Sequence, residues 1–117
     1  FYDLGIYPDW WKLEPFATDA AYRAACNAIT TRDPHVRGIV VLGLDASEAA
    51  LAASLALAAR HDLVKGFAIG RTIFGDAARG WLAGKLTDDQ AVQDMATKYA
   101  RLCGIWDAAR AAKGETA

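Results

Sequence analysis

The sequence predicts an α/β fold of parallel βα units, and three observations point to it. Residues 38–44 (GIVVLGL) and 64–70 (VKGFAIG) are almost continuously apolar, as expected of strands covered on both faces of a parallel sheet. Helix-length segments with apolar residues at three- and four-residue spacing lie between and after them. Strands and helices alternate along the chain, the pattern of right-handed βαβ crossovers.

Each element carries its own signals. Residues 1–4 read as the tail of an earlier helix, stopped by Gly5. Residues 9–13 (DWWKL) form a first strand, rich in aromatic side chains. Thr18-Asp19 opens a helix that runs to about Thr31 and ends at Asp33-Pro34, because proline disfavours helical geometry in the residue before it. The second strand gives way at Asp45-Ala46-Ser47-Glu48 to a helix carrying Leu51, Leu55, Ala58 and Ala59, with a stop at His61-Asp62. After the third strand a short helix covers roughly residues 73–82 and ends at Gly84. Thr87-Asp88-Asp89 caps a long last helix whose Val92, Met95, Tyr99, Leu102, Cys103 and Trp106 share one face. Trp81, Trp106, Tyr99 and Phe74, at helical spacing, read most simply as core. Residues 113–117 are expected to fray. The order is βαβαβαα, without internal repeat, low-complexity tract or linker.

A three-stranded parallel sheet leaves two apolar edges and an uncovered face, which is not stable alone. Closing such a sheet takes eight strands and about 250 residues. The 117 residues are therefore expected to be the C-terminal portion of a (β/α)8 barrel, about three βα units carrying strands six to eight. The start at Phe1, with no basic-apolar leader behind it, fits a fragment or processed product of a larger chain.

Composition narrows the functional classes. Hydrophobic residues make up 54% of the chain and charged ones 23%, which excludes disordered and collagenous classes. A net charge of −1 lacks the electrostatic footprint of a nucleic-acid binder. Charged residues interrupt every apolar run before the roughly 18 residues of a membrane span, so no membrane partner is expected. Cys26 and Cys103 sit among apolar helical neighbours and read as two reduced thiols in a cytoplasmic protein. His35 and His61 have no second His or Cys at ligand spacing, and read as a solvated and a helix-capping histidine. No metal or other cofactor is expected.

Two constellations carry chemistry. In Trp10-Trp11-Lys12-Leu13-Glu14-Pro15, period-two alternation puts Trp10, Lys12 and Glu14 on one strand face. A lysine in mid-strand among tryptophans is expected to be enclosed, and enclosure disfavours the ammonium, as a Schiff-base nucleophile requires. Glu14 lies nearer the C-terminal end of the strand, where parallel barrels build their sites, and suits proton transfer around an iminium. A buried Lys12–Glu14 pair that merely fills the barrel explains the same residues. In Gly66-Phe67-Ala68-Ile69-Gly70-Arg71-Thr72 the third strand runs into a helix. Gly70, the free N–H groups of the helix start and Arg71 make a cradle for phosphate or carboxylate. A glycine turn with a solvent-facing arginine is the plainer alternative. Gly43-Leu44-Asp45-Ala46-Ser47 makes a weaker turn of the same kind, in which Asp45 or Ser47 also serves as a helix cap. Lys65 lies at the entry of its strand, the wrong end for such a site. Neither a Walker lysine nor a G-x-G-x-x-G loop is present.

The series P-D-W-W-K-L-E-P, G-I-V-V-L-G-L-D-A and V-K-G-F-A-I-G-R-T-I-F, with W-L-A-G behind it, resembles class I aldolases of the tagatose/fructose-bisphosphate type. It is most similar to the aldolase-like C-terminal domain fused to 5-dehydro-2-deoxygluconokinase in bacterial myo-inositol catabolism. The resemblance spans roughly residues 1–110. It implies a Schiff-base lysine at Lys12, the K-x-E glutamate at Glu14 and a phosphate-binding G-R motif at Gly70-Arg71. Gly43-Leu44-Asp45 stand where bisphosphate aldolases carry Ser-Gly-Gly or Ser-Ala-Gly. Gly43 can still present its N–H to a phosphate, whereas Asp45 repels one.

The activity implied is metal-free cleavage of 2-deoxy-5-keto-gluconate 6-phosphate to dihydroxyacetone phosphate and malonate semialdehyde. The partners implied are a phosphorylated keto-sugar acid, the N-terminal part of the barrel and a fused sugar kinase, in a homo-oligomer. The competing expectation is a non-catalytic accessory barrel that supports the kinase.

Overall fold

Pairing between three short strands sets the frame of the computed structural model, which describes residues 1–43 and 46–115. β1 (Trp10–Leu13), β2 (Gly38–Val41) and β3 (Val64–Phe67) form one parallel sheet in the order β1-β2-β3. Each is shorter than expected: β1 lacks Asp9, β2 ends at Val41 and β3 at Phe67. Trp10 lies opposite Gly38 and Lys12 opposite Val40. Ile39 lies opposite Val64, but Val40 opposite Gly66, so Lys65 is left without a partner at a register shift.

Alternation sorts the strand residues between two faces. Trp11, Leu13, Ile39, Val41, Val64 and Phe67 join a core completed by Tyr22, Ile29, Leu51, Leu55, Leu102 and Trp106. Full burial of such aliphatic side chains contributes about 1.5–3 kcal/mol each. The other face carries Trp10 and Lys12, both exposed. The sequence anticipates strands covered on both sides, and here the helices cover one. The molecule is accordingly a slab of 51 × 38 × 21 Å. Its radius of gyration of 16.6 Å exceeds the roughly 13 Å of a compact domain of this length.

Capping explains where the helices start. Thr18 Oγ1 accepts from Ala21 N at 3.2 Å and opens α1 (Asp19–Arg32). Ser47 Oγ accepts from Ala50 N at 3.3 Å and opens α2 (Glu48–Ala58). α3 (Arg71–Leu82) starts directly behind Gly70 with no side-chain cap. At α4 (Asp88–Glu115), Thr87 Oγ1 accepts from Gln90 N at 3.2 Å, and Gln90 Oε1 accepts from Thr87 N at 2.9 Å, a reciprocal capping box. Gly84 turns the chain between α3 and α4 at φ 68°.

Several expectations change. Residues 1–4 contain only a single 3-10 turn (Tyr2–Leu4), ended by Gly5 at φ 74°. α3 begins at Arg71, two residues before its apolar pattern does. Phe74, Trp81 and Tyr99 are exposed rather than core. Small side chains, Ala77 and Ala91, are buried in the region where α3 and α4 pack, which leaves the large aromatics outside. Trp81 instead donates its indole N–H to Asp88 Oδ1 at 2.7 Å. On α4 the buried residues are Ala91, Leu102 and Trp106, while Val92 is exposed. Cys26 and Cys103 are half-buried free thiols, and burial pushes the Cys26 thiol up. No described helix is long and apolar enough to cross a membrane.

Candidate active site

Parallel order brings the C-terminal ends of all three strands to one edge of the slab. There a groove of about 220 Å³ is lined by Lys12 of β1, Leu42 and Gly43 behind β2, and residues 68–72 behind β3. Lys12, Gly43, Gly70 and Arg71, singled out separately in the sequence, thus share one site. Among the described residues two cations, Lys12 and Arg71, line it and no carboxylate does.

Ladder hydrogen bonds carry the strand geometry into the groove. Leu42 N donates to Leu13 O at 3.0 Å and Ala68 N to Val41 O at 2.8 Å, so the exits of β2 and β3 are held in register with their neighbours. Gly43 is buried, and a Cβ there would meet Ile69 Cγ1 and Cγ2 at 3.1 and 3.2 Å. The two loops therefore touch across the absent side chain of Gly43. Gly70 O accepts from Ile73 N at 2.8 Å and Phe74 N at 3.1 Å, which folds the first turn of α3. A Cβ on Gly70 would meet the Phe74 ring at 3.1 Å. No side chain caps the start of α3 among the described residues, and Arg71 and Thr72 bring this end of the helix, the positive end of its dipole, to the groove. A helix start of this kind is suited to a phosphate or carboxylate oxygen.

Two expectations about the lysine change. Lys12 and Glu14 are both exposed, so they do not form a buried pair. Lys12 is not enclosed by its tryptophans, because Trp11 points to the helical side while Trp10 itself is 47% exposed. Glu14 lies one residue beyond β1 and does not line the groove. Leu44 and Asp45 lie outside the described residues, while Ser47 is the N-cap of α2.

The sequence reading missed Ile69, whose contact with Gly43 ties the loops together. It also treated Thr72 only as part of a motif, though it too lines the groove. Position directly after a strand exit was the available signal for both. No cluster of three or more His, Cys, Asp or Glu side chains placed to hold a metal occurs among the described residues.

A family model described as "Uncharacterized protein conserved in bacteria (DUF2090)" matches residues 1–110. The chain belongs to the DUF2090 family. The matched region takes in all three strands and every residue of the groove, so the site lies within what defines the DUF2090 chain. No curated protein and no solved structure matches it.

Proposed function

We propose that this DUF2090 chain supplies strands six to eight of a (β/α)8 barrel that works as a Schiff-base aldolase on a phosphorylated keto-sugar acid. The observation that carries the reading is the shared groove, in which a lysine, two glycines and an arginine meet at the C-terminal end of parallel strands. The flat slab with one bare sheet face supports the barrel, since the remaining strands would cover that face and enclose Lys12. The substrate proposed, from the resemblance of the motifs, is 2-deoxy-5-keto-gluconate 6-phosphate.

In this scheme Gly70, Arg71 and the Gly43 turn hold the phosphate and fix the distance from it to the ketone. Lys12 Nζ adds to the ketone carbon, and loss of water leaves a protonated imine. The C–C bond between the α and β carbons then breaks, and its electron pair moves into the iminium to give an enamine. The neighbouring hydroxyl oxygen gives up its proton and becomes the carbonyl of malonate semialdehyde. Protonation and hydrolysis of the enamine release dihydroxyacetone phosphate and restore the lysine. Glu14, one residue beyond β1 and outside the groove's lining, is the carboxylate that the resemblance of the K-x-E motif assigns to proton transfer. A fused sugar kinase upstream and a cytoplasmic location go with this reading.

Borohydride added to the complete protein with this substrate tests it. The expected result is a reduced adduct, with the mass of dihydroxyacetone phosphate or of the whole substrate, on the peptide containing Lys12. Lys12→Met is expected to lose adduct and cleavage together and to keep the fold, because the side-chain volume is nearly conserved. Turnover without an adduct at Lys12 refutes the mechanism. Folded protein that gives neither turnover nor adduct makes the domain an accessory barrel.

A further inference from the structure

At the N-terminal end of the sheet, opposite the groove, a second cleft of about 470 Å³ opens between α1, the α2–β3 turn, β3 and the end of α4. Arg23, Arg60, Lys65 and Lys113 line it, against a single lining carboxylate, Asp62. A chain with net charge −1 thus gathers four of its 13 basic side chains around one opening. Two of these cations are engaged, Arg23 with Asp19 and Lys113 with Asp62. Arg60 and Lys65 make no ion pair among the described residues.

A second observation concerns the wall. The His61 side chain is only 11% exposed and stacks on the Tyr22 ring at a centroid distance of 4.8 Å. It is therefore not the solvated helix cap expected from its place behind α2. Its Nε2 lies 3.0 Å from Asp19 Oδ1 but makes no hydrogen bond with it or with any other described residue. Burial and the surrounding Arg23, Lys113, Arg60 and Arg110 hold its pKa below the ordinary histidine value. Four cations line the cleft, Arg23, Arg60, Lys65 and Lys113, and outnumber the two carboxylates beside it, Asp19 and Asp62. This leaves a small volume of positive potential next to an imidazole nitrogen that makes no hydrogen bond among the described residues. Such a volume is stabilised by a bound anion, which supplies both charge and acceptors.

We infer that this cleft binds a phosphorylated small molecule of two or more negative charges, held by Arg60 and Lys65 with Arg23, His61 and Lys113 around it. The volume lies within the range of small-molecule sites and exceeds what one orthophosphate fills. The register shift at Lys65 leaves this lysine outside the strand pairing, and its side chain lines the cleft. The site is separate from the Lys12–Arg71 groove and stands independently of the aldolase reading.

Isothermal titration of the complete protein with inorganic pyrophosphate at physiological salt tests the inference. Saturable binding is expected, weakened at least tenfold in the Arg60→Gln/Lys65→Gln double variant, since two charge-assisted contacts are lost. Arg71→Ala separates the two sites and is expected to leave this affinity unchanged. The His61 imidazole resonances should shift on titration in the parent protein and not in the double variant. Glutamine removes the charge while keeping a polar, uncharged side chain with part of the aliphatic stem, and unchanged far-UV dichroism verifies the fold of the variants. Absence of saturable binding, equal weakening by the remote Arg101→Ala, or undiminished affinity in the double variant overturns the assignment.

Discussion

Replacing Gly38 with alanine should loosen the sheet at the strand that connects the two ends of the molecule. Gly38 has φ 154°, a backbone conformation that disfavours a side chain. A Cβ there would lie 2.5 Å from Lys65 Cγ, 2.8 Å from Leu63 O and 3.3 Å from the Trp10 ring. Lys65 is flexible and can move. Leu63 O cannot move freely, because it accepts the hydrogen bond from Ile39 N at 2.8 Å. Displacing it gives up one buried ladder bond, about 0.5–1.5 kcal/mol, and the unfavourable φ adds about 1–3 kcal/mol. The expected destabilisation is about 2–4 kcal/mol, read as exchange of the Ile39 amide accelerated roughly 30- to 1000-fold in the complete protein. Adding Lys65→Ala removes only the 2.5 Å contact, so the double variant should recover little. Exchange at Ile39 within threefold of the parent would refute the need for glycine here, and full recovery in the double variant would show that side-chain crowding rather than backbone geometry dictates it.

Other outcomes can be checked alongside it. Arg71→Ala should raise KM for a phosphorylated substrate by about 10–100-fold, the value of a charge-assisted phosphate contact, and leave a dephosphorylated analogue nearly unaffected; steady-state kinetics on both compounds decides. Leu55→Ala, at a fully buried position, should cost about 2–5 kcal/mol in urea unfolding. His61 should make stability depend on pH. Its folded pKa is depressed, so between the unfolded value near 6.5 and the lower folded value the unfolded chain binds more protons. Its contribution is therefore fully present above about pH 6.5 and is lost as pH falls through the folded pKa; His61→Gln should flatten the stability profile in that window. Residues 1–117 produced alone should self-associate through Trp10 and the exposed Phe1, Leu4, Ile6 and Tyr7; a compact monomer in sedimentation at micromolar concentration would refute this.

Local signals were legible in the sequence where the physics is local. Thr18, Ser47 and Thr87 each cap the helix they precede, because capping involves only the next three residues. The parallel strands were legible from near-continuous apolar runs. The register shift at Lys65 was not, because it depends on Gly38 and Leu63 meeting across the sheet. Periodicity grouped Val92, Tyr99 and Trp106 on one face of α4, but only packing decides which part of that face a neighbour covers. His61 was misread for the same reason: its stacking partner, Tyr22, lies on α1, remote in sequence.

The placement of the candidate site follows from the same distinction between local and distant effects. A lysine in mid-strand projects to one face whatever surrounds it, and the order β1-β2-β3 then sets it beside the exits of β2 and β3. Assembly of the groove is thus a consequence of three short sequences and their parallel pairing. Enclosure of Lys12 is different, since it depends on whatever covers the bare face of the sheet. The Schiff-base reading requires that cover, because an imine formed in bulk water is exposed to hydrolysis. The position of the lysine is thus built by this chain, whereas the reactivity that the Schiff-base proposal asks of it depends on a cover for the bare face.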